Sequence, residues 1–378
     1  MDTRNRGRVA RSISASGNGS ATFRSFWPLF PLILLIVAVT YLGSLGPPSL
    51  DRTATTMVVN LILVVGIYSF VGLSGVFSFG HMAFTLVGAY TYAYLSIPVD
   101  TKAIVMANLP VFLAGAQMPT VLATITAGVV AAGLALIVAI PLMRIAGLSA
   151  ALGTFAVLII VNQVARNWQD LTNGTSGVPA IPTTTTIQSA TLWALFAVSA
   201  VFLLQQSRFG LRLRASREDE VAARAIAIRI PYLRGTAFVL SAFICGIAGA
   251  LSAALLGAFG PGTFFLELTF LILVMLVIGG IKSLAGAVVG TIVVSFVSEL
   301  LRRVERGVDF GAFQFAGRPG LREVSLAIVL LLILILRPSG IMGSREIYWP
   351  FGNPAGPPAG DQALRAEDED REVDLGRG

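Results

Sequence analysis

The chain has 378 residues, of which 55% are hydrophobic and only 12% are charged, and its mean hydropathy is +0.80. Because soluble domains carry about 25% charged residues, this composition excludes an ordinary soluble protein and indicates one polytopic membrane body with polar ends. The net charge of +7 comes almost wholly from arginine. These arginines lie at segment ends and in loops, as topology-setting charges do, so we expect no nucleic-acid partner.

Cys245 and His81 are the only cysteine and the only histidine in the sequence. This excludes a disulfide framework, a cysteine metal site and a multi-histidine metal centre. The sequence also lacks the GxxxxGK[ST] phosphate loop and the GxSxG and HExxH motifs, which serve nucleotide binding, acyl transfer and zinc hydrolysis. We therefore expect no catalytic residue, no metal and no cofactor in this chain, and we do not expect it to be an enzyme.

Ten segments of the chain are apolar over a length that can cross a bilayer. The Arg-, Ser- and Gly-rich residues 1–28 precede the first segment, which no A-x-A-like cleavage site follows, so we predict an uncleaved span rather than a signal peptide. The predicted fold is an all-α polytopic membrane protein with about ten transmembrane helices. The spans lie at about 29–45, 57–76, 79–95, 119–142, 148–165, 190–206, 235–257, 264–281, 283–299 and 321–336.

Arginine placement predicts which loops are cytoplasmic, since cytoplasmic loops carry an excess of Lys and Arg. The loop 207–234 holds seven arginines, and with ten spans it lies on the same, cytoplasmic, side as both termini. Residues 103–116 are apolar but short and interrupted by Pro110, so we interpret them as an interfacial or re-entrant piece. An eleventh span there would put the arginine-rich loop outside. The loop 300–320, with four arginines, lies outside in this topology and counts against it.

These patterns divide the chain into three parts. Residues 1–28 form a cytoplasmic tail, and residues 29–340 form the transmembrane domain. Residues 341–378 end in RAEDEDREVDLGRG and have too little apolar surface to fold alone, so we predict a disordered acidic cytoplasmic tail.

The most charged stretch within the apolar part is ASREDEVAARAIAI, residues 215–228. Ser216 and Asp219 have the spacing of a capping box, which predicts a short helix beginning at Ser216. Glu220 and Arg224 can pair on one face of that helix. A small apolar face is predicted from Val221, Ala225 and Ile228. The helix is either a solvated interfacial helix or a docking helix for a soluble partner.

The segment 207–255 resembles a segment shared by permeases of the high-affinity branched-chain amino acid ABC importer family, most closely the M-type (LivM-like) subunit. That family has a Glu-x-Ala-Ala-x-x-x-Gly core, which Glu220, Ala222 and Ala223 match. The family glycine is Ala227 in this chain. This departure puts a sharp bend at residue 227 in doubt, although not the helix.

Three further stretches resemble the same family in the same order. GLSGVFSFGHMAF and the GAY that follows resemble an early signature that includes Phe84. LTNGTSGVPAIP resembles an external loop motif, with Asn173 in place of the first Gly. VIGGIKSLAGAVVG and RPSGIMG resemble the last two signatures, with Lys282 in place of a usual Gly. The resemblance covers about residues 57–343.

The resemblance implies a permease half that pairs with a homologous permease, as a heterodimer. It would engage two ABC ATPase subunits, which bind the ATP, and accept solute from an extracytoplasmic binding protein at the bacterial inner membrane. The same architecture could move urea, amides or a sugar instead. A secondary transporter or channel without ATPases is a further alternative. Such a protein usually has ionisable residues deep in its spans, whereas most charges of this chain lie in loops or near span ends, which weighs against it.

Four sets of candidate residues follow. The ATPase-coupling helix is assigned Arg217, Glu218, Glu220, Ala222, Ala223 and Ala227. Residues at membrane depth are pathway candidates, namely Asn60, His81, Phe84, Asn162, Gln163 and Glu267. The loop 171–186, a connector or an external gate, contributes Thr172, Gly174 and Gly177. Close helix packing is expected at Gly246, Gly249, Ala250, Gly286 and Gly290.

Overall fold

The structure is a computed structural model. It describes residues 27–305 apart from 107 and 146, then 309–310, 313–314, 340–343 and the single positions 328, 331 and 335. From Leu29 onward these residues belong to one compact unit, Leu29–Glu346. The predicted span at 321–336 and the predicted tails lie almost entirely outside the described residues.

Eight helices occupy the first half of the described chain. They are α1 (Leu29–Ser44), α2 (Pro48–Ser74), α3 (His81–Ser96), α4 (Val99–Val105), α5 (Val111–Ala114), α6 (Thr120–Leu142), α7 (Leu148–Asn167) and α8 (Gln169–Thr172). A proline stands at or next to the start of α2, α4, α5 and α6. Proline suits that place because the first N–H groups of a helix have no helical partner. The 3₁₀ turn Gly174–Ser176 follows α8.

Six further helices follow in the second half. They are α9 (Ile187–Gln206), α10 (Arg208–Glu218), α11 (Glu220–Ala225), α12 (Ile230–Leu256), α13 (Leu266–Gly279) and α14 (Leu284–Glu305). The 3₁₀ turn Pro261–Phe264 leads into α13. Two short strands, β1 (Asp309–Phe310) and β2 (Phe313–Gln314), pair antiparallel after α14.

The described helices make the chain a multi-pass α-helical membrane protein. Seven of them are long and apolar enough to cross a membrane, or eight if α3 and α4, bent by 120°, count as one broken span. The expected count of about ten is not reached among the described residues. Helix α1 has only 16 residues, and the predicted span at 321–336 lies outside the described part.

Helices α2 and α12 form the centre of the bundle, and small residues allow α3 and α6 to approach α12 closely. A Cβ atom at Gly246 would lie 2.6 Å from the Cβ of Ala131, and one at Gly249 would overlap the carbonyl oxygen of Thr85. Ala250 is fully buried beside them. In lipid, such small-residue faces allow backbone-to-backbone packing that larger side chains prevent.

The pair α13 and α14 packs in the same way. A Cβ atom at Gly286 would lie 2.7 Å from the carbonyl oxygen of Gly279, and one at Gly290 would overlap the carbonyl oxygen of Met275. The chain returns to this contact at its far end, since the N–H of Ile341 donates to Ile278 O at 2.8 Å. Residues 341 and 342, at the start of the predicted tail, are thus held against α13 by backbone hydrogen bonds.

A buried lysine organises the segment 97–119. The Nζ of Lys102, in α4, donates to the carbonyl oxygens of Tyr94 at 2.7 Å, Leu113 at 3.0 Å and Ala116. Three acceptors match the three protons of an ammonium group. The residues predicted as an interfacial or re-entrant piece are thus folded back onto the end of α3 after a sharp bend.

Connecting segments gather at two ends of the bundle. One, the 207–229 end, holds residues 75–80, 207–229 and 280–283. The other, the 168–186 end, holds residues 97–119, 168–186 and 257–264, where Val178 pairs with Phe259. Because α2, α12 and α14 each run between the two ends, the bundle separates the arginine-rich loop from the threonine-rich one.

Candidate functional site

The predicted loop helix is two helices, α10 and α11, rather than one helix starting at Ser216. Ser216 is buried inside α10, where its hydroxyl donates to Leu213 O at 2.7 Å. Asp219 is the true N-cap of α11, since its Oδ1 accepts from the N–H groups of Val221 at 2.8 Å and Ala222 at 2.9 Å. The capping-box prediction was wrong because the Ser216 hydroxyl is satisfied by its own preceding turn, while Asp219 adopts the extended backbone of a cap.

Helix α11 ends at a left-handed residue that is not glycine. Ala227 has φ +59°, the N–H of Ala227 bonds Arg224 O at 3.0 Å, and the N–H of Ile228 bonds Ala223 O at 3.1 Å. This pair of bonds is the Schellman motif, whose left-handed position is usually glycine. The bend expected of the family glycine is therefore present despite the alanine.

The exposed surface of α11 differs from the predicted apolar face. Val221 and Ile226 are 80% and 71% exposed, whereas Ala223 is buried. Ile228 lies beyond the end of the helix, so it cannot share a helical face with Val221 and Ala225. Val221 and Ala225 of the predicted face are nevertheless both exposed, and Ile226, directly after the last helical residue, adds a second large exposed apolar side chain.

Glu220 joins α11 to the central helix. Its Oε1 pairs with Nη2 of Arg234, in the first turns of α12, and its Oε2 lies 3.3 Å from Nη2 of Arg224. The predicted Glu220–Arg224 pairing is confirmed. Arg234 is buried and Arg224 is exposed, so the Arg234 contact is the one shielded from solvent, where ion pairs matter more.

Arg217 and Glu218 tie the end of α10 to two other parts of the bundle. Nη1 of Arg217 donates to Gly72 O at 2.5 Å, at the end of α2. The Glu218 carboxylate lies 2.7 Å from Arg217 Nη2 and 3.7 Å from Lys282 Nζ. The hydrogen bond and charge of Arg217, and then the charge of Lys282, lower the pKa of Glu218. Lys282 therefore supplies a cation to this cluster.

The polar pathway candidates do not converge on one place. Asn162 is buried, donating to Pro261 O at 2.6 Å and accepting from Arg166 Nε at 2.7 Å. Gln163 and Glu267 are exposed on the single chain. Asn60 lines a groove between helices. The structure thus assigns Asn162 to fixing α7 against the 257–264 segment.

His81 and Phe84 lie in an aromatic cluster rather than at an interface. The His81 ring is 1% exposed, and its centroid lies 5.7 Å from that of Phe70 and 5.3 Å from that of Phe238. Phe84 completes the cluster at 6.1 Å. Among the described residues neither imidazole nitrogen has a hydrogen-bond partner, so this ring acts as an apolar packing element.

The loop candidates are held in a defined conformation at the 168–186 end. The Thr172 hydroxyl donates to Ala165 O at 2.6 Å. Asn173, Gly174 and Gly177 have φ values of +56°, +57° and +74°. Asn173 is a residue type that tolerates the left-handed region, and its side-chain amide donates to Val105 O at 3.0 Å.

The sequence does not predict two of the contacts described above, that of Arg234 with Glu220 and those of Lys102 with three backbone carbonyls. Arg234 stood at a span end and was counted only as a topology charge, and its partner Glu220 lies 14 residues earlier. No helical or strand periodicity predicts a pair at that separation. The carbonyl cage of Lys102 was missed for the same reason, because carbonyl acceptors leave no mark in the sequence.

Comparison with known proteins gives a consistent result. The family model described as "Branched-chain amino acid transport system / permease component" matches residues 49–336. The high-affinity branched-chain amino acid transport system permease protein LivM of Escherichia coli (strain K12) is 27% identical over 348 residues, covering 83% of this chain and 74% of that protein. LivM of Salmonella typhimurium is 26% identical with the same coverage.

A second type of permease also matches, over a shorter range. The LivH permease protein of Salmonella typhimurium is 26% identical over 165 residues, 43% of this chain and 49% of that protein. No solved structure matches the chain. Since the family model covers well over half of the sequence, the chain belongs to the family of permease components of branched-chain amino acid transport systems.

Proposed function

We propose that this chain is one permease subunit of an ABC importer for branched-chain amino acids, namely leucine, isoleucine or valine. The family match over residues 49–336 carries the proposal, because it takes in nearly all of α2 and every described helix from α3 to α14. The curated relatives named above are permease proteins of high-affinity branched-chain amino acid transport systems. Transport proceeds by alternating access, with ATP hydrolysis in partner subunits.

The partners follow from what the chain lacks and what the family name describes. The sequence has no phosphate loop, so two ABC ATPase subunits bind the ATP. A homologous permease completes a heterodimer, consistent with separate LivM and LivH matches. An extracytoplasmic binding protein delivers the solute at the 168–186 end.

The protein lies in the bacterial plasma (inner) membrane with ten spans and both termini in the cytoplasm. The arginines of the 207–229 end support this orientation, since arginine-rich loops stay on the cytoplasmic side. The count adds α1 and the predicted span at 321–336 to the long described helices, with α3 crossing as part of a bent pair.

Helices α10 and α11 form the ATPase-coupling element. The support is positional: α11 is capped by Asp219 and exposes Val221 and Ile226. It is also joined to α12 through Glu220. An exposed apolar side chain at each end of a short helix suits a shallow groove on a soluble partner.

The decisive experiment is to purify the chain with its co-encoded ATPases and permease partner, reconstitute the complex, and measure ATPase activity. We expect binding protein loaded with leucine to stimulate hydrolysis and drive leucine uptake. Stimulation by urea, an amide or a sugar instead would assign another solute to the same architecture. Failure of any ATPase to co-purify would contradict the importer proposal and favour a secondary transporter.

A further inference from the structure

A groove of about 740 Å³ opens between α2, α13 and α14 in the half of the bundle away from the 207–229 end. Its walls come from the first turns of α2, the middle of α13 and the last turns of α14, with Leu256 at the end of α12. Small-molecule sites in proteins occupy about 300–1,000 Å³, so this groove has the size of a binding site.

Helical spacing shows that three helices each turn one face to the groove. Two of the faces are largely polar. Helix α2 contributes Ser49, Arg52, Thr53, Thr56, Met57 and Asn60, and α14 contributes Ser295, Ser298, Glu299 and Arg302. Helix α13 contributes the apolar pair Leu271 and Met275, four residues apart. The groove therefore has an apolar wall opposite hydroxyl, amide and charged groups.

Two hydroxyls in the groove have no hydrogen-bond partner within the part of the chain that the structure describes. The Oγ atoms of Ser295 and Ser298 are buried, and among the described residues neither has a hydrogen-bond partner. Serine hydroxyls in helices commonly donate to the preceding turn, as that of Ser252 does to Ala248 O at 2.8 Å. Because buried polar groups are nearly always hydrogen-bonded, two hydroxyls without a partner in the wall of a groove leave hydrogen-bonding capacity that a bound ligand can satisfy.

The charged groups of the groove have both signs. The Glu299 side chain is 15% exposed, and its Oε2 accepts from Arg302 Nε at 2.8 Å and Nη2 at 2.5 Å. Arg302 also reaches Thr53 Oγ1 at 3.4 Å, and Arg52 lines the groove one residue earlier on α2. The charged groups that line the groove are thus one carboxylate, that of Glu299, and two guanidinium groups, those of Arg52 and Arg302; its other lining residues are uncharged.

We propose that this groove binds a zwitterionic amino acid with an apolar side chain on its way into the membrane. The guanidinium groups of Arg52 and Arg302 take the α-carboxylate, because guanidinium matches carboxylate geometry. Glu299, helped by the serine hydroxyls, takes the ammonium group. The apolar side chain packs on Met57, Leu271 and Met275. This assignment rests on the proposed function and locates its substrate site.

The test is equilibrium binding of radiolabelled leucine to the reconstituted complex without binding protein, with competition by two analogues. 4-Methylpentanoate lacks the ammonium group and 3-methylbutylamine lacks the carboxylate. We expect leucine to compete at least about tenfold better than either analogue, since each charge-assisted hydrogen bond contributes about that factor or more. Equal competition by all three would overturn the proposal.

Variants then locate the site in the groove. Glu299→Gln should weaken leucine binding by about tenfold while leaving 4-methylpentanoate binding within about twofold. Arg52→Gln should weaken both. Asp51→Asn is the matched control, because Asp51 lies on the same turn of α2 but does not line the groove; it should change neither.

The double variant Ser295→Ala, Ser298→Ala guards against misfolding as an explanation, since removing two unpartnered hydroxyls should not lower thermal stability. It should still weaken leucine binding. If the complex transports leucine and responds to loaded binding protein, but none of these variants alters leucine binding, the groove assignment fails while the proposed function stands. If the complex transports only another solute and leucine does not bind, both fail together.

Discussion

Ala227 shows how a residue other than glycine can hold a left-handed helix end. At φ +59° an alanine pays a steric cost of about 1–2 kcal/mol relative to a right-handed conformation. The Schellman bonds from Ala227 and Ile228 hold it there. The alanine therefore strains the end of α11 without removing the bend.

We predict that Ala227→Gly raises the free energy of unfolding by about 0.5–1 kcal/mol. Glycine removes the steric cost of the left-handed conformation in the folded state. It also increases the conformational entropy of the unfolded chain, which offsets part of that gain in stability. Thermal unfolding of the purified chain in one detergent measures it. The matched control is Ala225→Gly, where the same substitution within α11 should lower stability; equal shifts of the two variants would contradict the assignment of strain to residue 227.

At the scale of elements, α10 and α11 are fastened to three places on the bundle. Arg217 contacts the end of α2, Glu218 lies by Lys282 between α13 and α14, and Glu220 pairs with Arg234 in α12. Because α12 packs against α2, α3 and α6 at the centre, a displacement of α11 acts first on a central helix of the bundle. The Glu220 carboxylate thus forms an ion pair within this chain, with Arg234.

We predict that Arg234→Met uncouples the complex. Co-purification of the ATPases and their basal activity should stay within about twofold, while stimulation by loaded binding protein falls about tenfold or more, because a partly buried charged hydrogen bond is lost. Arg224→Met is the control, since Arg224 is the exposed partner of Glu220 and exposed pairs contribute little. The charge-swapped double variant Glu220→Arg, Arg234→Glu should recover part of the stimulation. Unchanged stimulation in Arg234→Met would contradict a coupling role for the contact between Glu220 and Arg234.

At the scale of the whole molecule, the two ends of the bundle differ in chemistry. The 207–229 end concentrates arginine, whereas the 168–186 end is built from threonine, glycine and proline and is held by backbone contacts such as Val178 with Phe259. The long helices between them fix the separation of the two ends. Only two membrane orientations are therefore possible, with either the 207–229 end or the 168–186 end in the cytoplasm. Labelling one site at each end distinguishes them.

We predict that an impermeant maleimide labels Thr175→Cys on intact cells and labels Val221→Cys only in inside-out vesicles. Both positions are exposed, and the native Cys245 is buried and should not react. The unsubstituted chain is the control for that background. Labelling of Val221→Cys on intact cells would reverse the orientation.

The sequence by itself determined the features that depend on local composition. Apolar runs of sufficient length marked the spans, because a bilayer requires them. Arginine density marked the 207–229 end, and Glu220 with Arg224 followed from helical spacing. The sequence predicted Ser216 as the helix cap, whereas the structure shows Asp219 in that place. Both residue types cap helices, so only the hydrogen bonds distinguish them.

The tertiary structure decided the features that depend on groups distant in the sequence. Lys102 donates to three backbone carbonyls, and Glu220 pairs with Arg234. Ser295 and Ser298, whose hydroxyls have no partner among the described residues, line a groove together with residues of α2 and α13. Helical spacing in the sequence does not predict such contacts. They form when helices pack against one another and the polar groups buried between them form hydrogen bonds.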